Sequence, residues 1–307
     1  MRMRHAVVVV TGASSGIGRA TAVACARRGA SVVLAARSAG ALEEAARQCR
    51  RRGGRALAVP TDVCDERAVE GLAAAAVERF GRIDVWVNAA AVGILGRWDQ
   101  VPVPDLARLL DVNVLGAVRG TRAALAVMRR QGHGVVIDVA SLLGGRVTAP
   151  YMGGYAMSKA ALVAFDDVLR QELALLDEGR ISVCTVLPTG VDTPFFRHAA
   201  NRSGRVLRSV PPVATPERVA RAVVRAARRP RRRVLVGPYA RLLAGTRAVA
   251  AGPVRRAVAW RTDRSYFGAA LGGPGGGGIL RVPAGRHAPP PRGRHPPPPP
   301  PITNKKN

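Results

Sequence analysis

The first apolar run of the chain ends in a glycine turn, and that junction restricts the fold more than any other stretch. Ala6-Val7-Val8-Val9-Val10 leads into Thr11-Gly12-Ala13-Ser14-Ser15-Gly16-Ile17-Gly18, and helical text opens directly behind it. Gly12 permits a tight turn, Gly16 lets backbone approach a bound group closely, and Gly18 lets a helix lie against the strand. A helix starting there presents unpaired N–H groups and the positive end of its dipole, which suits a pyrophosphate. Glycine turns are common after strands, so the loop gains its weight from lying between a strand and a helix.

The same alternation continues along the chain. Strands are predicted at 6–10, 31–36, 56–60, 85–88, 135–139 and 181–187, and helices at 17–28, 39–51, 67–80, 105–130 and 156–176. Near-continuous apolar strands separated by helices predict an α/β fold, a doubly wound parallel sheet of the Rossmann type covered on both faces. A further helix is expected at 216–229 with Thr215 as its N-cap, and a last edge strand at 234–237. Short connections place all of this in one domain, residues 1–245. A basic extension, 246–268, follows. Residues 269–307 hold the glycine-rich run 272–278 and the prolines 296–301. Too few apolar side chains remain there to offset ordering entropy, so this tail is expected to be disordered.

Composition narrows the function classes. No apolar run approaches the length of a membrane span, and the leading one is too short for a signal-peptide core. A cytosolic protein is therefore expected. Cys25, Cys49, Cys64 and Cys184 show no paired ligand spacing, which predicts free thiols and no metal site. The net charge is +28, of which residues 228–307 supply +16 from 17 basic residues and one acidic one. Only Lys159, Lys305 and Lys306 are lysines among the 48 basic residues. So uniform a preference for arginine reads as coding bias, and no nucleic-acid partner is expected.

Against that background Lys159 stands out, in Tyr155-Ala156-Met157-Ser158-Lys159. The i, i+4 spacing puts phenol and ammonium on one helix face. A phenol titrates near pH 10 on its own, and a neighbouring cation is expected to lower that value and fit it for proton transfer. The second strand ends Leu34-Ala35-Ala36-Arg37-Ser38, with no acid to hold ribose hydroxyls. Arg37 instead offers a planar fork suited to a 2′-phosphate.

The Thr-Gly-x-x-x-Gly-x-Gly loop and the Tyr-x-x-x-Lys pair together resemble the short-chain dehydrogenase/reductase family, over about residues 6–240. That resemblance implies an oxidoreductase that moves hydride between NADP(H), rather than NAD(H), and a carbonyl or secondary alcohol. It implies a cofactor site built from Thr11, Gly12, Ser14, Ser15, Gly16, Ile17, Gly18 and Arg37. Asp62 and Val63 resemble the pair at the adenine, and Asn88-Ala89-Ala90-Ala91 the segment shaping its pocket, with alanine where glycine is usual. Pro188, Val191 and Thr193 resemble the segment that holds the carboxamide, and Tyr155 and Lys159 would reach the nicotinamide ribose. Ser141 resembles the serine that hydrogen-bonds the substrate oxygen. Its interval to Tyr155 is one residue long, so either Gly144-Gly145 holds an insertion or, counted without a gap, Leu142 takes that place. Asn113 resembles the helix asparagine that completes a catalytic tetrad with Ser141, Tyr155 and Lys159. The partners implied are a small carbonyl or alcohol substrate and a second or fourth copy of the chain. The competing readings are a non-catalytic cofactor-sensing or nucleic-acid-associated protein using the basic C-terminal quarter, and peripheral membrane contact through residues 241–267.

Overall fold

The computed structural model describes residues 1–207, 213–238, 240, 256, 260, 264, 267–270 and 278–280. Seven parallel strands form the central sheet: β1 (Val7–Thr11), β2 (Ser31–Ala36), β3 (Arg55–Pro60), β4 (Val85–Asn88), β5 (Gly134–Val139), β6 (Ile181–Pro188) and β7 (Arg233–Val236). Their order across the sheet is β7-β6-β5-β4-β1-β2-β3. The order reverses between β1 and β4, where doubly wound sheets open a crevice at their carboxyl ends.

Alternate strand residues feed two cores, as a period of two requires. Val8, Val10, Val32 and Leu34 pack with α1 (Gly16–Ala26), α2 (Ala39–Arg51) and, farther along, α7 (Pro216–Arg228). Val9, Val33 and Val136 face the opposite layer. That layer contains α3 (Glu66–Phe80), α4 (Val103–Leu110), α5 (Gly116–Gln131) and α6 (Gly153–Leu175). Side chains cap two of these helices: Asp65 accepts from the Ala68 N–H, and Thr215 from that of Arg218, as expected of a cap.

The helix expected at 105–130 is interrupted. A π turn at Asp111–Leu115 joins α4 to α5. The predicted edge strand is β7, which pairs among the described residues with β6 alone. Two small pairings lie outside the main sheet, Ile94–Leu95 with Ala200–Asn201 and Arg205–Leu207 with Phe267–Ala270. The expected domain boundary at 245 falls outside the described residues. So do most of the 246–268 extension and most of the tail. Within that tail, Leu280 is buried at 2% exposure and belongs to the same apolar core as Val63, Leu109 and Val112. No described helix is long and apolar enough to cross a membrane. All four cysteines are free thiols.

Candidate active site

The glycine turn is built as its sequence demands. Gly12 has φ +67°, and a Cβ on it would lie 2.7 Å from the Ala90 Cα. A Cβ on Gly18 would lie 2.2 Å from the Gly12 carbonyl oxygen, so the first turn of α1 closes directly on the loop. Gly16, at φ +51°, faces the Thr193 methyl. Ser15 stands at the N-cap of α1 without capping it through its side chain. The first-turn N–H groups are thus presented to the crevice. Thr11 lies behind the lining, where its Oγ1 accepts from the Ala89 and Ala90 N–H groups at 3.1 and 3.3 Å. Alanine at 90 fits because Gly12 concedes the space.

The crevice at the carboxyl ends of the strands encloses about 790 Å³. Gly12, Ser14, Ser15, Gly16, Ile17 and Gly18 line it with Arg37, Asp62, Val63 and Ala89. Ser141, Tyr155, Lys159, Pro188, Val191 and Thr193 line the same crevice. Arg37 Nη2 donates to the Ile279 carbonyl at 2.7 Å. Asp62 is committed on both oxygens: Oδ1 accepts from the Cys64 N–H at 3.1 Å, and Oδ2 pairs with Arg108 at 3.1 Å. Arg108 also reaches Asp111 and the Leu280 carbonyl. It is a residue the sequence did not single out, one arginine among many on an ordinary helix.

Asn88 and Asn113 support the crevice from behind. Asn88 Nδ2 donates to the Ala117 carbonyl, Thr121 Oγ1 and Asp138 Oδ1, and its Oδ1 accepts from the Trp86 indole. It ties the end of β4 to α5 and β5. Asn113 clasps the Val92 backbone on both sides, accepting from its N–H at 2.8 Å and donating to its carbonyl at 3.0 Å. Its Nδ2 also reaches Ser158 Oγ at 3.1 Å. The π turn puts this side chain where the loop after β4 needs a partner.

Tyr155 stands in the first turn of α6, stacked obliquely on Phe195 with centroids 5.1 Å apart. Lys159 is 2% exposed and donates to the Val139 carbonyl at 2.9 Å, with its Nζ 5.7 Å from the phenol ring centroid. Burial pulls the ammonium down to about 8, and Asp138 opposes part of that fall. The expected lowering of the phenol is not seen. Burial pushes Tyr155 up to about 12, and a hydrogen bond with Ser141 recovers only part of the rise. The physical reason is that Lys159 spends its short bond on a backbone carbonyl, so no cation among the described residues bonds the phenol to offset its partial burial.

Ser141 and Leu142 both line the crevice, and it is the Ser141 hydroxyl that meets the phenol. Between Ser141 and Tyr155 the chain turns at Gly144, which has φ +86°. Its missing Cβ would stand 2.1 Å from the Ala156 carbonyl oxygen. Around Tyr155 the wall is apolar: Leu142, Leu143, Met152, Phe195 and Phe196. Nothing in the sequence pattern ties Met152 or the Phe195-Phe196 pair to Tyr155.

Residues 6–203 match the pattern of the short chain dehydrogenase family. Over 247 residues the chain is 38% identical to the uncharacterized oxidoreductase YxnA of Bacillus subtilis (strain 168), spanning 79% of this chain and 68% of that protein. It is 35% identical over 239 residues to the short-chain reductase protein NovJ of Streptomyces niveus, spanning 73% and 88% of the two chains. Among solved structures, a short chain dehydrogenase/reductase from Burkholderia phymatum in complex with NAD superposes with a TM-score of 0.74 at 28% identity, over 83% of this chain and 97% of that one. An alcohol dehydrogenase from the archaeon Thermococcus sibiricus, complexed with 5-hydroxy-NADP, gives 0.67 at 29% identity, over 77% and 98%. With this sheet order, this glycine turn and Tyr155 and Lys159 at its crevice, the chain belongs to the short-chain dehydrogenase family of oxidoreductases.

Proposed function

We propose that this protein interconverts a carbonyl compound and a secondary alcohol with NADP(H), using Tyr155 as the proton donor and acceptor. The observation that carries the reading is the placement of Tyr155, Ser141 and Lys159 in the crevice that begins at the glycine turn. A nicotinamide dinucleotide fits this chain's own residues. Gly12 and Gly18 leave a cradle that a Cβ would fill, and the N–H groups at the start of α1 suit a pyrophosphate. Arg37 suits a 2′-phosphate, and no acid stands at the end of β2 to favour free ribose hydroxyls. When bound, the dinucleotide supplies or takes the hydride.

The remaining chemistry belongs to the protein. Ser141 donates to the substrate oxygen and steadies charge developing there. Tyr155 gives that oxygen its proton in reduction and removes it in oxidation. Lys159 holds positive charge close to the phenol. Asn113 fixes the Val92 backbone beside the reacting centre. The wall of Leu142, Leu143, Met152, Phe195 and Phe196 selects substrates with an apolar group next to the reacting carbon. A phenol raised by burial favours the neutral, proton-donating form, which suits reduction at neutral pH.

Two variants test the reading against a panel of carbonyls and alcohols. Tyr155→Phe is expected to lose at least about a hundredfold in turnover while NADPH binding, read by fluorescence, survives. Full turnover in that variant would defeat the proposal. Arg37→Ala is expected to weaken NADPH about tenfold and NADH little, a loss of one charge-assisted contact. An equal effect on both would remove the 2′-phosphate assignment.

A further inference from the structure

We propose that Asp138 and Asp166 form a one-proton carboxyl pair whose single negative charge is the counter-ion of the buried Lys159 ammonium. Asp138 is then a positioning residue for proton transfer. The inference rests on the reading of Lys159 as the partner of Tyr155.

Asp138 is the penultimate residue of β5, and Asp166 lies two helical turns beyond Lys159 on the same buried face of α6. Both carboxyl groups are wholly buried. Asp138 Oδ1 accepts from Asn88 Nδ2 at 2.7 Å, and Asp166 Oδ2 accepts from the Thr185 hydroxyl. Each group retains one buried oxygen, Asp138 Oδ2 and Asp166 Oδ1, with no other donor. The two carboxyl groups lie within hydrogen-bonding reach of each other. Carboxylate oxygens cannot donate, and two facing carboxylates in a dry interior cannot both stay ionised, so one proton lies between them.

The surroundings decide which partner keeps the charge. Burial pushes both carboxyls up, but Asp138 has the amide donor and feels the positive field of Lys159, whereas the Asp138 charge pushes Asp166 up further. Asp166 therefore holds the proton and Asp138 the charge. Lys159 reaches the Val139 carbonyl, the peptide next to Asp138 along β5. The titratable and charged groups facing the pair are Lys159 and Arg170 from α6 and Cys184 from β6. From β4 and α5 come Asn88 and Thr121, and from β6 also Thr185, all uncharged. Lys159 itself faces Tyr155 on its own helix and Asp138 across from it. Its ammonium persists at neutral pH because a fixed negative charge lies behind it.

The full-length chain offers a clean test, since it has only three lysines. Carbon-13 at lysine Cε gives three signals, with Lys159 assigned from its loss in Lys159→Arg. In the native protein this signal should titrate with a midpoint of about 8. Asp138→Asn should lower the midpoint by about a unit or more, because the supporting charge is gone. Asp166→Asn should leave it within about half a unit, because Asp138 stays ionised beside an amide donor. An unmoved midpoint in Asp138→Asn, or an equal drop in both variants, would overturn the proposal. Carbon-13 at aspartate Cγ in the native protein gives a reading that needs no variant. One of these two buried carboxyls should remain protonated at neutral pH, and finding both ionised would also overturn the pair. In catalysis, the high-pH limb of carbonyl reduction should move down with the lysine midpoint in Asp138→Asn. A chain that reduces no carbonyl would defeat the proposed function while the lysine titration still judged the pair.

Discussion

Asp166 occupies a helix position where most side chains would be apolar, and its environment makes it a neutral acid. The sign of its effect on stability follows from linkage. In the unfolded chain an aspartate ionises near pH 4, while in the folded chain burial and Asp138 raise the group far above that. Folding at neutral pH therefore takes up a proton. Stability from this group is whole below the unfolded value and falls as pH rises through the folded one. Asp166→Asn supplies a group that is already neutral, keeps an acceptor for Thr185 and donates to Asp138. The variant is expected to be more stable than the native chain at pH 7, by on the order of 2 kcal/mol. The gain should shrink as pH approaches 4. Denaturant midpoints across that range measure it, and a gain that grows on acidification would reverse the assignment of the proton.

The long helical stretch from α4 to α5 shows what elements of this kind disclose in their sequence. Its apolar period reads as one helix at 105–130, and the outer limits are nearly met. The π turn at Asp111–Leu115 is hidden because one extra residue per turn leaves Leu109 before it, Val112 within it, and Ala117 and Ala124 after it, all buried. Only Asn113, a poor residue for a helix interior, marked the place. The strands were legible for a simpler reason: runs such as Val7-Val8-Val9-Val10 are bounded by turns and buried on both faces. The glycine turn and the Tyr155–Lys159 pair were legible because their partners lie within eight residues. Asp138 and Asp166 were not, since only the register of β5 against α6 brings positions 28 apart into contact. The two-residue pairing of Ile94–Leu95 with Ala200–Asn201 stayed hidden for the same reason. Helix α5 gives its own prediction. A Cβ on Gly120 would lie 2.4 Å from Asn88 Oδ1 and 2.7 Å from the Trp86 indole nitrogen. Helix propensity favours alanine by about 1 kcal/mol, but the clash would part α5 from β4 and break the Asn88 bonds. Gly120→Ala is expected to cost about 2 to 3 kcal/mol net, measured by chemical denaturation. A stabilised variant would mean that Asn88 yields easily.

Across the whole molecule, three residues near the C-terminus join parts of the crevice that the main domain leaves separate. Gly278 has φ +56°, and a Cβ there would stand 2.2 Å from the His198 carbonyl oxygen, so only glycine fits. Ile279 donates to that carbonyl at 2.9 Å and accepts from Arg37 at 2.7 Å. The Leu280 carbonyl accepts from Arg108 Nε at 3.2 Å while its side chain is buried in the core that also holds Val63 and Val112. The segment thus links the loop after β6, the end of β2 and α4. A chain ending at residue 266 should lose the burial of Leu280, about 2 kcal/mol, and melt at a lower temperature. Its cofactor affinity should move the other way. A guanidinium bonds a phosphate dianion more strongly than a neutral carbonyl, and in the native chain part of Arg37 is engaged by Ile279. Shortening should tighten NADPH severalfold and NADH less, because only NADPH brings a phosphate for Arg37 to turn to. Titrations of both chains with both dinucleotides measure this. Identical affinities before and after shortening would confine the segment to a packing role, since a competitor for Arg37 cannot be removed without releasing what it held.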